Sequence, residues 1–286
     1  MGRRWSGRRG LVTGAAVLAV SVLAPTGAFG TGAASGTGAG AGPRTGIGQR
    51  AEVAPDGFTA LRAVDPTVRQ DIRYAGSHSF VGAPVDGYRR PVCLLTRPAA
   101  QALRRAQRTL LRAGYSLKVY DCYRPQRAVD HFVRWARDLA DQRTKGEFYP
   151  RVAKSRLFAD GYIAERSGHS RGSTVDVTLV RLPAARPRPP APGTPAAPCH
   201  APVGERAPDG SVDMGTAFDC FDPLSRTADP YIGPVQRAHR RLLLEALEAQ
   251  GFVNLPQEWW HFTFAPEPYP GTVFDFPVSE RSLRRR

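Results

Sequence analysis

Two short segments constrain this chain more than anything else in it: Ser167-Gly-His-Ser-Arg-Gly-Ser-Thr-Val-Asp176 and, far downstream, Glu258-Trp-Trp-His261. They carry two imidazoles and a carboxylate able to hold one metal ion, with a further carboxylate beside the last imidazole. Any fold that serves them must bring two distant stretches together on rigid backbone. Catalytic zinc takes three protein ligands and leaves one position for water; His169, Asp176 and His261 offer two nitrogens and an oxygen. A lone histidine is more often a hydrogen-bonded polar residue than a ligand, and it is the two segments together that favour the metal. His78, His131, His200 and His239 have no comparable setting.

Glu258 is the natural general base and acid for such a site. It precedes His261 by three positions, however, and in a strand an odd separation places side chains on opposite faces. A bulge or twist in the Trp259-Trp260 pair is therefore needed to bring both toward the metal. Arg124, fork-shaped and permanently charged, is the candidate for holding a developing oxyanion, with a structural salt bridge as the alternative.

The surrounding pattern reads as a single α+β domain. Asp71-Ile-Arg-Tyr74 reads as a short strand. Ala99, Leu103, Ala106 and Leu110 share one helical face over residues 97–112, and Gly114 is placed to end that helix. Ser116 to Tyr123 alternates like a half-buried strand and stops at Arg124-Pro125. Helices are expected over 126–139 and 234–249, and strands over 175–180 and 258–264. The stretch 181–210, rich in Pro and Ala, reads as an irregular surface insertion.

The ends are different in kind. A basic start, an apolar run from Leu11 to Leu23 and small residues before Gly30 have the order of an export signal over 1–30. Residues 31–55 are too poor in large apolar side chains to fold and read as a flexible leader. The catalytic domain is expected over 56–279, with 280–286 a frayed basic tail. No segment other than the signal is suited to cross a membrane, so an exported protein of the cell envelope is expected. The net charge of +15 owes four positive charges to Arg3, Arg4, Arg8 and Arg9. The remainder reads as a solvated arginine-rich surface, with attraction to an anionic cell wall as the sharper reading. Nucleic acid is disfavoured because no basic stripe is interleaved with aromatics. Four cysteines allow three pairings; Cys93 with Cys122 and Cys199 with Cys220 close modest loops and are expected, with buried thiols as the alternative.

With these residues in hand, the chain resembles the zinc D-alanyl-D-alanine dipeptidases of the VanX type, within the group sharing the hedgehog/DD-peptidase fold. The motif S-x-H-x-x-G-x-A-x-D is similar to Ser167 through Asp176, and E-x-x-H to Glu258 through His261. Further landmarks are Tyr74-Ala, Tyr123-Arg-Pro-Gln126, Phe148-Tyr-Pro150, Gly161-Tyr-Ile-Ala164, Met214 to Asp219 and Glu267-Pro-Tyr-Pro270. The resemblance implies an antiparallel sheet with flanking helices and one Zn2+ on His169, Asp176 and His261. It further implies Glu258 as general base and acid, Arg124 on the scissile carbonyl, and a small dipeptide substrate held by Ser167, Asp219, Tyr74, Trp259 and Phe132. A carboxypeptidase or endopeptidase trimming peptidoglycan stems is the alternative, and a zinc-containing binding domain a further one. Thr174 departs from the motif, which has Ala there. An export signal also sits uneasily with an enzyme of newly made D-Ala-D-Ala, leaving wall salvage and antibiotic resistance both open as roles.

Overall fold

The computed structural model describes residues 52–184 and 196–284. The expected signal and most of the leader lie outside them. In chain order the elements are β1 (Phe58–Ala60), α1 (Leu61–Val64), β2 (Arg69–Gln70), β3 (Leu94–Thr96), α2 (Arg97–Arg112), β4 (Tyr115–Asp121) and α3 (Gln126–Arg137). They continue with α4 (Lys145–Phe148), β5 (Thr174–Arg181), α5 (Pro234–Glu248), β6 (Phe252–Asn254) and β7 (His261–Phe264). Five strands form one sheet in the order β2-β4-β5-β7-β6, while β1 and β3 form a separate antiparallel pair.

The expectation of a wholly antiparallel sheet needs correction. β2 lies parallel to β4, with Arg69 opposite Lys118 and Gln70 opposite Val119. The chain leaves β2, passes through β3 and returns along α2, the crossover a parallel neighbour requires. The sheet is therefore mixed. The strand expected at Asp71–Tyr74 is also displaced, since pairing ends after the Asp71 amide reaches the Val119 carbonyl at 2.9 Å. Residues Arg73–Ala75 then form a 3-10 turn that buries Tyr74. At the other end, Glu280–Ser282 forms a capped turn whose Ser282 carbonyl accepts the Ala54 amide at 2.7 Å. The expected tail is thus ordered through its first residues.

α2 buries Ala99, Leu103, Ala106 and Leu110 as the periodicity predicts, and Gln107 adds a polar clamp, accepting the Leu117 amide at 2.7 Å. Both expected disulfides are present, Cys93–Cys122 and Cys199–Cys220. The first ties β3 to the carboxyl end of β4, where the site lies.

The stretch read as a surface insertion is more than that over its second half; residues 185–195 lie outside the described residues. Asp209 reaches the sheet, 3.0 Å from Lys118 Nζ and 3.1 Å from Arg73, and accepts the Tyr120 hydroxyl. Burial pushes its carboxyl up, but Lys118 and Arg73 together outweigh burial and hold it below the usual carboxylate range. A folded value below the unfolded one contributes stability above about pH 4 that is lost as pH falls toward the folded value. Asp209→Asn is therefore expected to lower Tm at neutral pH and to flatten the fall of Tm between about pH 4 and 2, which calorimetry across that range would show.

Candidate metal centre

The sheet register builds the site. Asp176 on β5 pairs directly with His261 on β7, and Asp121 at the end of β4 pairs with Asp176 from the other side. Three chemically active residues thus form one row across three strands, and directly opposed residues share a face. His169 arrives from the 3-10 turn Gly168–Arg171, whose entry is capped by Ser167 Oγ accepting the His169 amide at 3.2 Å. Gly172 ends this turn at φ 81°, and a Cβ there would lie 2.3 Å from the Phe58 ring, so only glycine fits.

His169 Nε2 and His261 Nδ1 are 3.3 Å apart, and each lies 3.2 Å from Asp176 Oδ1. That oxygen is buried and accepts no hydrogen bond. Two imidazole nitrogens and a carboxylate oxygen therefore face one another across a short triangle, while the other Asp176 oxygen accepts from Arg124. For zinc bonds of about 2.0 Å, adjacent corners of a tetrahedron are about 3.3 Å apart. The triangle fits one such ion. The far nitrogen of His169, Nδ1, meets the Cys122 carbonyl at 2.7 Å, which fixes the ring and leaves Nε2 as the ligand atom. Burial lowers the His169 pKa, favouring the neutral, ligating form.

Glu258 lies beside this triangle, 3.6 Å from His261 Nδ1, with its side chain 17% exposed. The concern over strand faces does not arise. β7 begins only at His261, and Glu258 sits in the preceding turn, its amide on the Leu255 carbonyl at 2.9 Å. A turn, rather than a bulge or twist within a strand, brings it to the same side as His261. Burial pushes the Glu258 carboxyl up to about 7, Asp176 adding to the effect and His261 and Arg124 opposing it.

Arg124 is held in a way that unites the two readings of it. Its Nε donates to Asp121 at 2.8 Å and one terminal nitrogen to Asp176 at 3.4 Å. Its guanidinium lies over the rings of Tyr74 and Phe132, 5.1 and 4.9 Å from their centroids. Burial pulls its pKa down, yet Asp121, Tyr74, Tyr88 and Asp176 together hold it well above the ordinary value. It is both a salt-bridge partner and a charge facing the cavity.

That cavity, about 280 Å3, is lined by Tyr74, Arg124, Phe132, Ser167, Asp176, Asp219, Glu258, Trp260 and His261. Most of the expected substrate contacts are therefore together. Trp259 is the exception: its indole packs edge-on against that of Trp260, centroids 5.2 Å apart, and does not line the cavity. Trp260 faces the cavity, whereas Trp259 is buried elsewhere and donates its Nε1–H to Thr216 Oγ1 at 2.8 Å. Asp219 accepts the Tyr74 hydroxyl at 2.8 Å. Burial, then the charge on Asp176, pushes the Asp219 carboxyl well above its usual range, a shift that a cation placed beside it would oppose. Thr174, in place of the motif's alanine, is accommodated by a 2.9 Å hydroxyl pair with Thr263 on β7.

Sequence reasoning missed Asp121 and Tyr88. Asp121 is fully buried, accepts the Tyr88 hydroxyl at 2.5 Å and lies 3.5 Å from His169 Nδ1 while holding Arg124. Its position three residues before Arg124 at a strand end was the available signal.

A two-histidine, one-carboxylate triangle flanked by a second carboxylate and a guanidinium is the site of a mononuclear metallohydrolase. Residues 55–187 and 207–279 match the sequence profile of the peptidase M15 family described as D-ala-D-ala dipeptidase. The chain is 39% identical over 212 residues to the D-alanyl-D-alanine dipeptidase of Streptomyces coelicolor, covering 74% of this chain and 93% of that one. It is 38% identical over 224 residues to the enzyme of the same name from Enterococcus faecalis, covering 78% and 99%. The Enterococcus faecium counterpart is 36% identical over 222 residues, covering 78% and 98%. The chain belongs to this D-alanyl-D-alanine dipeptidase family.

Proposed function

We propose that this protein hydrolyses free D-Ala-D-Ala, or a close dipeptide, to amino acids using one zinc ion per chain. The observation that carries the proposal is the close His169–Asp176–His261 triangle, its Asp176 Oδ1 buried without a hydrogen bond, opening on a small cavity that also holds Glu258, Arg124 and Asp219. Bound there, zinc would supply Lewis acidity and bring the pKa of a water to near 7.

The chain's own residues divide the remaining work. Asp219, fixed by Tyr74, pairs with the substrate ammonium and sets the register of the dipeptide in the cavity. Phe132 and Trp260 wall it. Arg124 donates to the carbonyl oxygen as it gains negative charge, an interaction that strengthens toward the transition state. Glu258 takes the proton of the attacking water and passes it to the leaving amine nitrogen, so both proton transfers use one carboxylate. Ser167, its oxygen engaged by the His169 amide, keeps its hydroxyl proton for an acceptor in the cavity.

Stripping the protein with a chelator and titrating zinc back tests this reading. Hydrolysis of D-Ala-D-Ala is expected to vanish and to return in full at one equivalent of zinc. Unchanged turnover by the stripped protein would sink the proposal.

We further propose that the enzyme is exported and works at the cell envelope. The export-like order of residues 1–30 and two disulfides, which persist in oxidising compartments, support this. Arg104, Arg105, Arg108 and Arg112 on the exposed side of α2 favour an anionic wall surface. No helix among the described residues is long and apolar enough to cross a membrane.

A further inference from the structure

We propose that the Cys199–Cys220 disulfide is a positioning bond for Asp219, so that affinity for the dipeptide depends on it while the fold and the ligand triangle do not. The inference rests on the reading of Asp219 as the partner of the substrate ammonium.

Asp219 has φ 58°, and it is the one non-glycine residue at positive φ among the described residues. An L-residue leaves that conformation for ordinary negative φ unless its surroundings over-determine it. The conformation matters here, because it aims the carboxylate at the Tyr74 hydroxyl. Such a relaxation would carry the carboxylate away from its place in the cavity.

The fixings of Asp219 differ on its two sides. Before it, the strap is held by separate non-covalent contacts. The Met214 carbonyl accepts from Arg240 Nε at 2.7 Å, Thr216 accepts from Trp259 at 2.8 Å, and Phe218 stacks on Tyr120 with centroids 4.4 Å apart. After it comes Cys220, directly bonded to Cys199, with its carbonyl accepting from Ser225 Oγ at 2.7 Å and the next amide, of Phe221, on the Phe148 carbonyl at 2.8 Å. Cys199 is itself anchored, its amide on the Glu147 carbonyl and its carbonyl accepting the Ala217 amide, both at 2.8 Å. The disulfide thus closes the strap on itself across Ala217 to Cys220 and ties it to the end of α4, adding the one covalent restraint next to Asp219. Both sulfur-bearing residues are buried.

The metal ligands depend on none of this. They sit on β5, β7 and the turn at Gly168–Arg171, and the His169 ring is braced by the Cys122 carbonyl, next to the other disulfide. The division has a consequence for where the enzyme binds its substrate. Cys199 and Cys220 reach the bonded state by exchange with a disulfide-bearing oxidant, which takes two electrons and two protons and leaves as a dithiol. Before that exchange the chain is a folded, metal-binding hydrolase with a loosened grip on the dipeptide.

The test compares the full-length, zinc-loaded Cys199→Ala/Cys220→Ala double variant with wild type and with Asp219→Asn, measuring KM, kcat, zinc per chain and thermal unfolding. The double variant is expected to show a KM at least about tenfold higher, with kcat within about threefold and zinc stoichiometry unchanged. Asp219→Asn is expected to raise KM in the same way. An unchanged KM in the double variant, with KM raised in Asp219→Asn, overturns the positioning role alone. Loss of zinc and kcat together, or failure to fold, overturns it too, since the bond then merely holds the structure. If Asp219→Asn itself leaves KM unchanged, the ammonium reading falls and the inference falls with it.

Discussion

Glu258→Ala is expected to keep one zinc per chain and to lose kcat on D-Ala-D-Ala by at least about 10³-fold, some 4 kcal/mol of barrier. Metal retention follows because Glu258 stands outside the triangle, 3.6 Å from the His261 nitrogen that faces Asp176. The size of the loss follows from the absence of a substitute. Asp219 is engaged with Tyr74, Asp121 with Tyr88 and Arg124, and Asp176 belongs to the proposed ligand triangle. No other carboxylate lining the cavity is free to take a proton from water and return it to the amine. Steady-state kinetics with metal analysis on the same preparation checks both halves, and a variant near the wild-type rate would show that the base is misassigned.

Arg124→Ala is the second large effect, expected to lower kcat by about 10²- to 10³-fold, or about 3–4 kcal/mol. It should also lower Tm, because it leaves Asp121 and Asp176, 0% and 2% exposed, facing one another without their shared cation. Removing one partner of a buried ion pair costs about 3–5 kcal/mol. Arg124→Lys separates the two roles. An ammonium restores the charge, and hence much of the stability, but it has no planar fork with which to bond both acids and still face the carbonyl. Its Tm is expected near wild type while its kcat stays low. Recovery of both would reduce Arg124 to a structural charge.

Much of the site could be read from the chain because its parts are local. His169 and Asp176 lie within one decapeptide, Glu258 and His261 within one tetrapeptide, and Arg124 at a strand end marked by proline. What was not legible depends on how separate segments meet. The faces of Glu258 and Trp259 turned on where β7 begins, which is set by pairing with β5 and not by the composition of Glu-Trp-Trp-His. The parallel edge strand is two residues long, too short to leave a period. Asp209 falls in the stretch read as a surface insertion, and its partners, Arg73, Lys118 and Tyr120, lie far away in sequence. Asp121 hid in a strand whose alternation explained it as well as any function did.

The account stands most directly on the substrate's free ammonium, since the proposed pairing of that group with Asp219 is what would select a dipeptide over a peptidoglycan stem. The measurement is kcat/KM of the zinc-loaded protein on free D-Ala-D-Ala and on an N-acetylated tripeptide ending in D-Ala-D-Ala. Rapid release of D-alanine from the free dipeptide, with the acylated peptide at least about 10³-fold slower, is the expected result. Equal or preferred cleavage of the acylated peptide would contradict the account and make the enzyme a carboxypeptidase.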